Sequence, residues 1–105
     1  MKKQDILENQ AKIAYLAIGS NLGDKELNIN NAKSKILEFG IDILKNSSSY
    51  ETLSWPNPKH PKYVNIVLEI KTYFSPLKLL EICLIIERDL QRKRSKKNYP
   101  HTCDI

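Results

Sequence analysis

The spacing of apolar residues changes along the chain, and each change predicts a different element. Residues 12–18 (K-I-A-Y-L-A-I) form an apolar run ended by Gly19, the pattern of a strand buried on both faces. Residues 19–24 (G-S-N-L-G-D) then read as a tight turn. Asp24 is placed to cap a helix whose apolar positions Ile29, Ala32, Ile36 and Phe39 recur at helical spacing, and Gly40 is placed to end it. Residues 41–44 and 48–52 predict one irregular strand interrupted at Lys45, Asn46 and Ser47, and the three prolines within residues 53–62 exclude regular structure there. Residues 63–73 alternate: Val64, Ile66, Leu68 and Ile70 point one way, while Tyr63, Asn65, Val67, Glu69 and Lys71 point the other, which predicts a sheet with one apolar face. Ser75-Pro76 is a helix start by N-cap and first-turn chemistry, and Leu79, Cys83, Ile86 and Leu90 continue one stripe. The gapless apolar run at 82–86 also fits a strand, but the length of the segment and its Ser-Pro start select a helix. Residues 102–105 open a last strand.

This order predicts an α+β protein with a ferredoxin-like βαββαβ core, helices packed on an antiparallel sheet and the last strand cut short. A length of 105 residues predicts a single domain over 1–105, in which the polar, aperiodic residues 1–11 form a flexible extension. With 41% hydrophobic and 28% charged residues, the composition is that of a folded chain rather than a disordered one. The apolar stretch at 79–86 is broken by Glu81 and is too short to span a bilayer, and residues 1–12 lack the apolar centre of a secretory signal. A cytoplasmic protein without a membrane partner is expected. Cys83 and Cys103 have no C-x-x-C spacing and no paired His, so neither a zinc site nor a disulfide framework is predicted.

Charge alters this picture in one place. Residues 88–97 hold six Lys or Arg against one Asp, a surplus of +5 equal to the formal net charge of the whole chain. Such a cationic segment, followed by Pro100 and the carboxylate of Asp104, suits a polyanion held with a divalent cation, and phosphate is the candidate. A solvated surface patch with no ligand is the competing reading. Nucleic acid is not expected as a partner, because Tyr99 is the one aromatic nearby for stacking on bases. Extended spacing would aim Arg92 and Arg94 alike, two guanidinium forks able to straddle a di- or triphosphate, with Glu87 at the preceding helix end. Asp104 would supply a hard oxygen for Mg²⁺. The glycine-containing turn at 19–24 lacks the G-x-x-x-x-G-K-[ST] spacing of a phosphate loop, so it reads as a plain turn. In residues 52–65, Trp55, Tyr63 and Asn65 are suited to a flat heterocycle, aromatic rings for its face and an amide for its edge. A tyrosine covering the sheet and an asparagine facing water account for the same residues.

Several segments then match one family in order: A-Y-L-A-I-G-S-N-L-G-D at 14–24, S-S-Y-E-T at 48–52, P-K-Y-V-N at 61–65, S-P-L-K-L-L at 75–80, I-E-R-D-L-Q-R-K-R at 86–94 and P-H-T-C-D-I at 100–105. Together they resemble the 6-hydroxymethyl-7,8-dihydropterin pyrophosphokinases. The resemblance implies transfer of pyrophosphate from ATP to the hydroxymethyl group of the pterin, with release of AMP, as a step of folate biosynthesis. It also implies two Mg²⁺ ions held by a pair of aspartates. By position it makes Thr52, Tyr63 and Asn65 substrate-binding residues, to which the loop reading adds Trp55, and Glu87, Arg92 and Arg94 ATP-binding residues. Arg92 and His101 fall at catalytic positions, and Asp104 is the first metal aspartate.

The sequence departs from that pattern in ways that carry expectations. His101 stands where the family has Arg, which removes a permanent bidentate donor. Gln91 replaces a Gly. The second aspartate of the P-R-T-x-D-x-D motif has no counterpart, because Ile105 is the last residue given. The expectation is an incomplete, C-terminally truncated pyrophosphokinase domain with little or no activity by itself, since phosphoryl transfer depends on alignment by both metals. The alternative is a remnant that binds pterin or nucleotide without chemistry, or one half of a split enzyme completed by a C-terminal polypeptide.

Overall fold

The computed structural model describes residues 10–54, 59, 61–91 and 105. Four strands and two helices follow one another as β1 (Lys12–Ser20), α1 (Lys25–Glu38), β2 (Asp42–Asn46), β3 (Tyr50–Thr52), β4 (Tyr63–Thr72) and α2 (Pro76–Gln91). All strand pairs are antiparallel and centre on β4, with β1 along one edge and β2 and β3 in succession along the other. The architecture is α+β and ferredoxin-like, two helices packed on an antiparallel sheet. Among the described residues the outer edge of β1 has no strand partner. That edge is where a βαββαβ order places its last strand, but the predicted strand at 102–105 lies outside the described residues except for Ile105, which is in no strand.

Local chemistry sets the helix ends where the sequence places them. Asp24 Oδ1 accepts the Leu27 N–H at 3.1 Å, which satisfies one of the first-turn donors of α1. Gly40, at φ +82°, reverses the chain just past its end in a conformation that a side chain would strain. Ser75 Oγ accepts the Lys78 N–H at 3.2 Å, and Pro76 opens α2 with its missing donor at a position that needs none. Residues 82–86 are helical, so the strand alternative for that apolar run is resolved.

Both helices cover the same face of the sheet. The core is built from Ile18 of β1, Ile66, Leu68 and Ile70 of β4, Ile29, Ala32 and Ile36 of α1, Ile41, and Ile82 and Ile86 of α2. Stiff β-branched side chains at alternating strand positions and helical spacing explain how so few residues close it. No described helix is long and apolar enough to cross a membrane.

Four expectations are corrected. β1 is not buried on both faces, because only its even-numbered residues meet the helices, while Ile13 is 55% and Tyr15 67% exposed. It also continues through Gly19 and Ser20, so the turn is limited to residues 21–24. Phe39, expected on the core stripe, is the C-cap of α1 and lies exposed where the helix ends. Finally, the break between β2 and β3 falls at residues 47–49 rather than at 45–47. Leu44 is accommodated as a bulge, and Ser47 bridges the gap, its N–H donating to Val67 O and its Oγ accepting the Val67 N–H at 2.8 Å.

Candidate functional site

The face of the sheet opposite the helices holds the site. Antiparallel pairing sets Gly19 of β1 opposite Asn65 of β4 and Asn65 opposite Tyr50 of β3, one row across three strands. Thr52 and Tyr63 form the next row. Residues directly opposite share a face, so the parity that packs Val64 and Ile66 against the core brings Gly19, Thr52, Tyr63 and Asn65 together on the other side. They line a recess of about 390 Å³, completed by Ala17, Ile18 and Ile105.

Within it the Asn65 carboxamide is tied down. Its Nδ2 donates to Thr52 Oγ1 at 2.9 Å and to Tyr50 O at 3.3 Å. An amide nitrogen has two hydrogens, so both donors are committed inside the protein and the group offers the recess its carbonyl oxygen. Thr52, accepting from Asn65, keeps its hydroxyl hydrogen to donate. The sequence-based picture of Asn65 as both donor and acceptor is thereby divided between two side chains. The pair still presents one acceptor and one donor to the edge of a planar ligand, beside the ring of Tyr63.

A buried polar network fixes the frame of this recess, and sequence reasoning missed it. Asn21, 2% exposed, donates through Nδ2 to Ser54 Oγ at 2.9 Å and to Pro61 O at 3.1 Å, and Ser54 Oγ in turn donates to Pro61 O. Lys25 Nζ adds a bond to Lys62 O at 2.8 Å, and Asn28 Nδ2 reaches Ser20 Oγ and Leu22 O. The turn after β1 therefore clamps both described ends of the proline-rich loop, so that Thr52 and Tyr63 face one another. The available signal was Asn21 itself, a polar residue directly after an apolar strand in a chain whose loop prolines leave carbonyls to satisfy.

The structure thus brings Thr52, Tyr63 and Asn65 together on one recess. Glu87 sits near the end of α2, where Oε2 accepts the Ile105 N–H at 3.1 Å, which ties this carboxylate to a residue lining the recess. Trp55, Arg92, Arg94, His101 and Asp104 lie outside the described residues. Among the described residues no group of three or more His, Cys, Asp or Glu is placed to hold a metal ion. Cys83 is buried, and burial first, then the nearby Glu87 charge, push its thiol pKa up, the behaviour of an inert core cysteine.

Further along the same face, Tyr15, Lys45, Asn46, Ser47, Val67 and Glu69 border a second hollow of about 360 Å³. Tyr15 donates its hydroxyl to Glu69 Oε1 at 2.8 Å, and this bond, then the carboxylate charge, hold the phenol above its ordinary pKa of 10.0. A pKa raised by folding favours the folded state below the unfolded value, and that preference is lost as pH rises through the folded one. Glu69→Gln is expected to bring the Tyr15 titration back toward its ordinary value, followed by the ¹³C resonance of its ring. An unchanged midpoint would mean that the pair does not form.

Over residues 15–105 the sequence matches the family described as 7,8-dihydro-6-hydroxymethylpterin-pyrophosphokinase. It is 36% identical over 94 residues to the 2-amino-4-hydroxy-6-hydroxymethyldihydropteridine pyrophosphokinase of Bacillus subtilis, covering 89% of this chain and 56% of that protein. The protein of the same name from Methylorubrum extorquens is 36% identical over 93 residues, covering 88% of this chain and 59% of its own length. A folic acid synthesis protein of Schizosaccharomyces pombe is 38% identical over 95 residues, 90% of this chain and 13% of that much longer protein. The chain therefore spans somewhat more than half the length of the two bacterial relatives.

Proposed function

Because the chain belongs to the 7,8-dihydro-6-hydroxymethylpterin-pyrophosphokinase family, we propose that it serves the transfer of pyrophosphate from ATP to 6-hydroxymethyl-7,8-dihydropterin in folate synthesis. Its part in that reaction is to hold the pterin. The observation that carries this reading is the convergence of Thr52, Tyr63 and Asn65 on one recess of a size suited to a bicyclic heterocycle.

In the reaction the substrate hydroxyl oxygen attacks the β-phosphorus of ATP. The bond from that phosphorus to the oxygen bridging the α-phosphate breaks, AMP leaves with that oxygen, and the hydroxyl proton is released. Little covalent chemistry falls to the protein, so positioning dominates. Thr52 and Asn65 fix the in-plane orientation of the heterocycle through its edge, Tyr63 restricts its face, and the hydroxymethyl group is thereby held in one direction. Arg92 and Arg94 are the proposed phosphate-binding groups, with His101 at the remaining catalytic position and Trp55 as a further pterin contact. Mg²⁺ supplies charge neutralisation on the phosphates when bound, with Asp104 as the proposed ligand.

Calorimetry with 6-hydroxymethylpterin and with Mg-ATP, together with an assay for AMP release, tests the proposal. Saturable one-to-one pterin binding supports it, and AMP formation that requires both substrates extends it from binding to transfer. Absence of pterin binding by the folded chain overturns it.

A further inference from the structure

Gly19 lies inside β1 rather than at a turn, and only Gly23 and Gly40 among the described glycines have positive φ. Its lack of a side chain is therefore not a backbone requirement, and glycine within a strand carries an entropic cost that needs another cause. The cause is across the ladder. A Cβ on residue 19 would stand 2.7 Å from Asn65 Oδ1 and 3.2 Å from Tyr63 Cδ1, the first a distance that carbon and oxygen do not tolerate. Asn65 cannot simply withdraw, because its Nδ2 is bonded to Thr52 Oγ1 and Tyr50 O, and moving the carboxamide breaks both bonds.

We propose that Gly19 is a positioning residue that sets ligand specificity. By leaving the space that Asn65 Oδ1 occupies, it keeps the carboxamide seated on Thr52 and the Tyr63 ring in place, so that the recess presents an ordered acceptor and donor to a flat heterocycle. The statement about ligand rests on the reading of the recess as a heterocycle site. The statement about Asn65 stands without it.

The test is a cycle of Gly19→Ala, Asn65→Ala and the double variant in the otherwise unaltered chain. Without ligand, Gly19→Ala is expected to shift the Asn65 side-chain amide resonances, and an unmoved amide pair overturns the proposal whether or not any ligand binds. With 6-hydroxymethylpterin as probe, Gly19→Ala is expected to weaken binding by about tenfold or more, whereas adding it to Asn65→Ala changes affinity by less than about twofold. Equal losses in both backgrounds would show a general structural effect and overturn the positioning role. If Gly19→Ala alone does not fold, the double variant decides: recovery of a cooperative melt supports the clash with Asn65, and continued failure to fold refutes it. Lack of pterin binding by the parent chain together with a displaced amide would sink the heterocycle reading alone.

Discussion

Leu68→Ala is expected to lower the unfolding free energy by about 3 kcal/mol, whereas Ile13→Ala on β1 changes it by less than about 1 kcal/mol. Leu68 is fully buried in the central strand, where truncation removes transfer free energy and leaves a cavity that neighbours on both sides cannot fill. Ile13 is a similar side chain in an adjacent strand, but it lies on the face that the helices leave uncovered. The loss at Leu68 is a large fraction of the stability of a domain this size. Denaturant titration of the two variants measures the difference directly, and equal losses would contradict a core confined to one side of the sheet.

The second large effect is on binding. Asn65→Ala should weaken 6-hydroxymethylpterin by about thirtyfold or more, because the ligand loses its acceptor and the Thr52 hydroxyl loses the group that orients it. An unsatisfied buried polar group costs about 1–3 kcal/mol, and each 1.4 kcal/mol is a factor of ten. Without ligand, water can replace the amide at Tyr50 O and Thr52 Oγ1, since Asn65 is only partly buried. The melting temperature should therefore change little. Affinity unchanged by this substitution would remove Asn65 from the binding surface.

The elements were legible where the sequence carried punctuation. Asp24 and Gly40 bracket α1, Ser75-Pro76 starts α2, and the alternation of β4 separates the residues that pack on the helices from those that face the recess. That alternation is enough to place Tyr63 and Asn65 on one side. β1 was misread because residues 13–18 are all apolar, and a run without polar positions does not reveal that one of its faces is open. The break between β2 and β3 was misplaced because a serine hydroxyl can take the place of a ladder bond, which no periodicity records. Gly19 read as the start of a turn, since its significance lies in pairing with Asn65, 46 positions later, and only the register of β1 on β4 discloses it. The Asn21 clamp is invisible for the same reason, its partners lying across the proline-rich loop.

Amide NMR of the uniformly ¹⁵N-labelled chain, titrated with 6-hydroxymethylpterin, tests the central claim most directly. Saturable shifts centred on Gly19, Thr52, Tyr63 and Asn65 are predicted, with Leu77, Leu80 and Leu84 on the exposed side of α2 unmoved. Shifts concentrated on α2, or none at those four residues up to the solubility limit of the pterin, would contradict it.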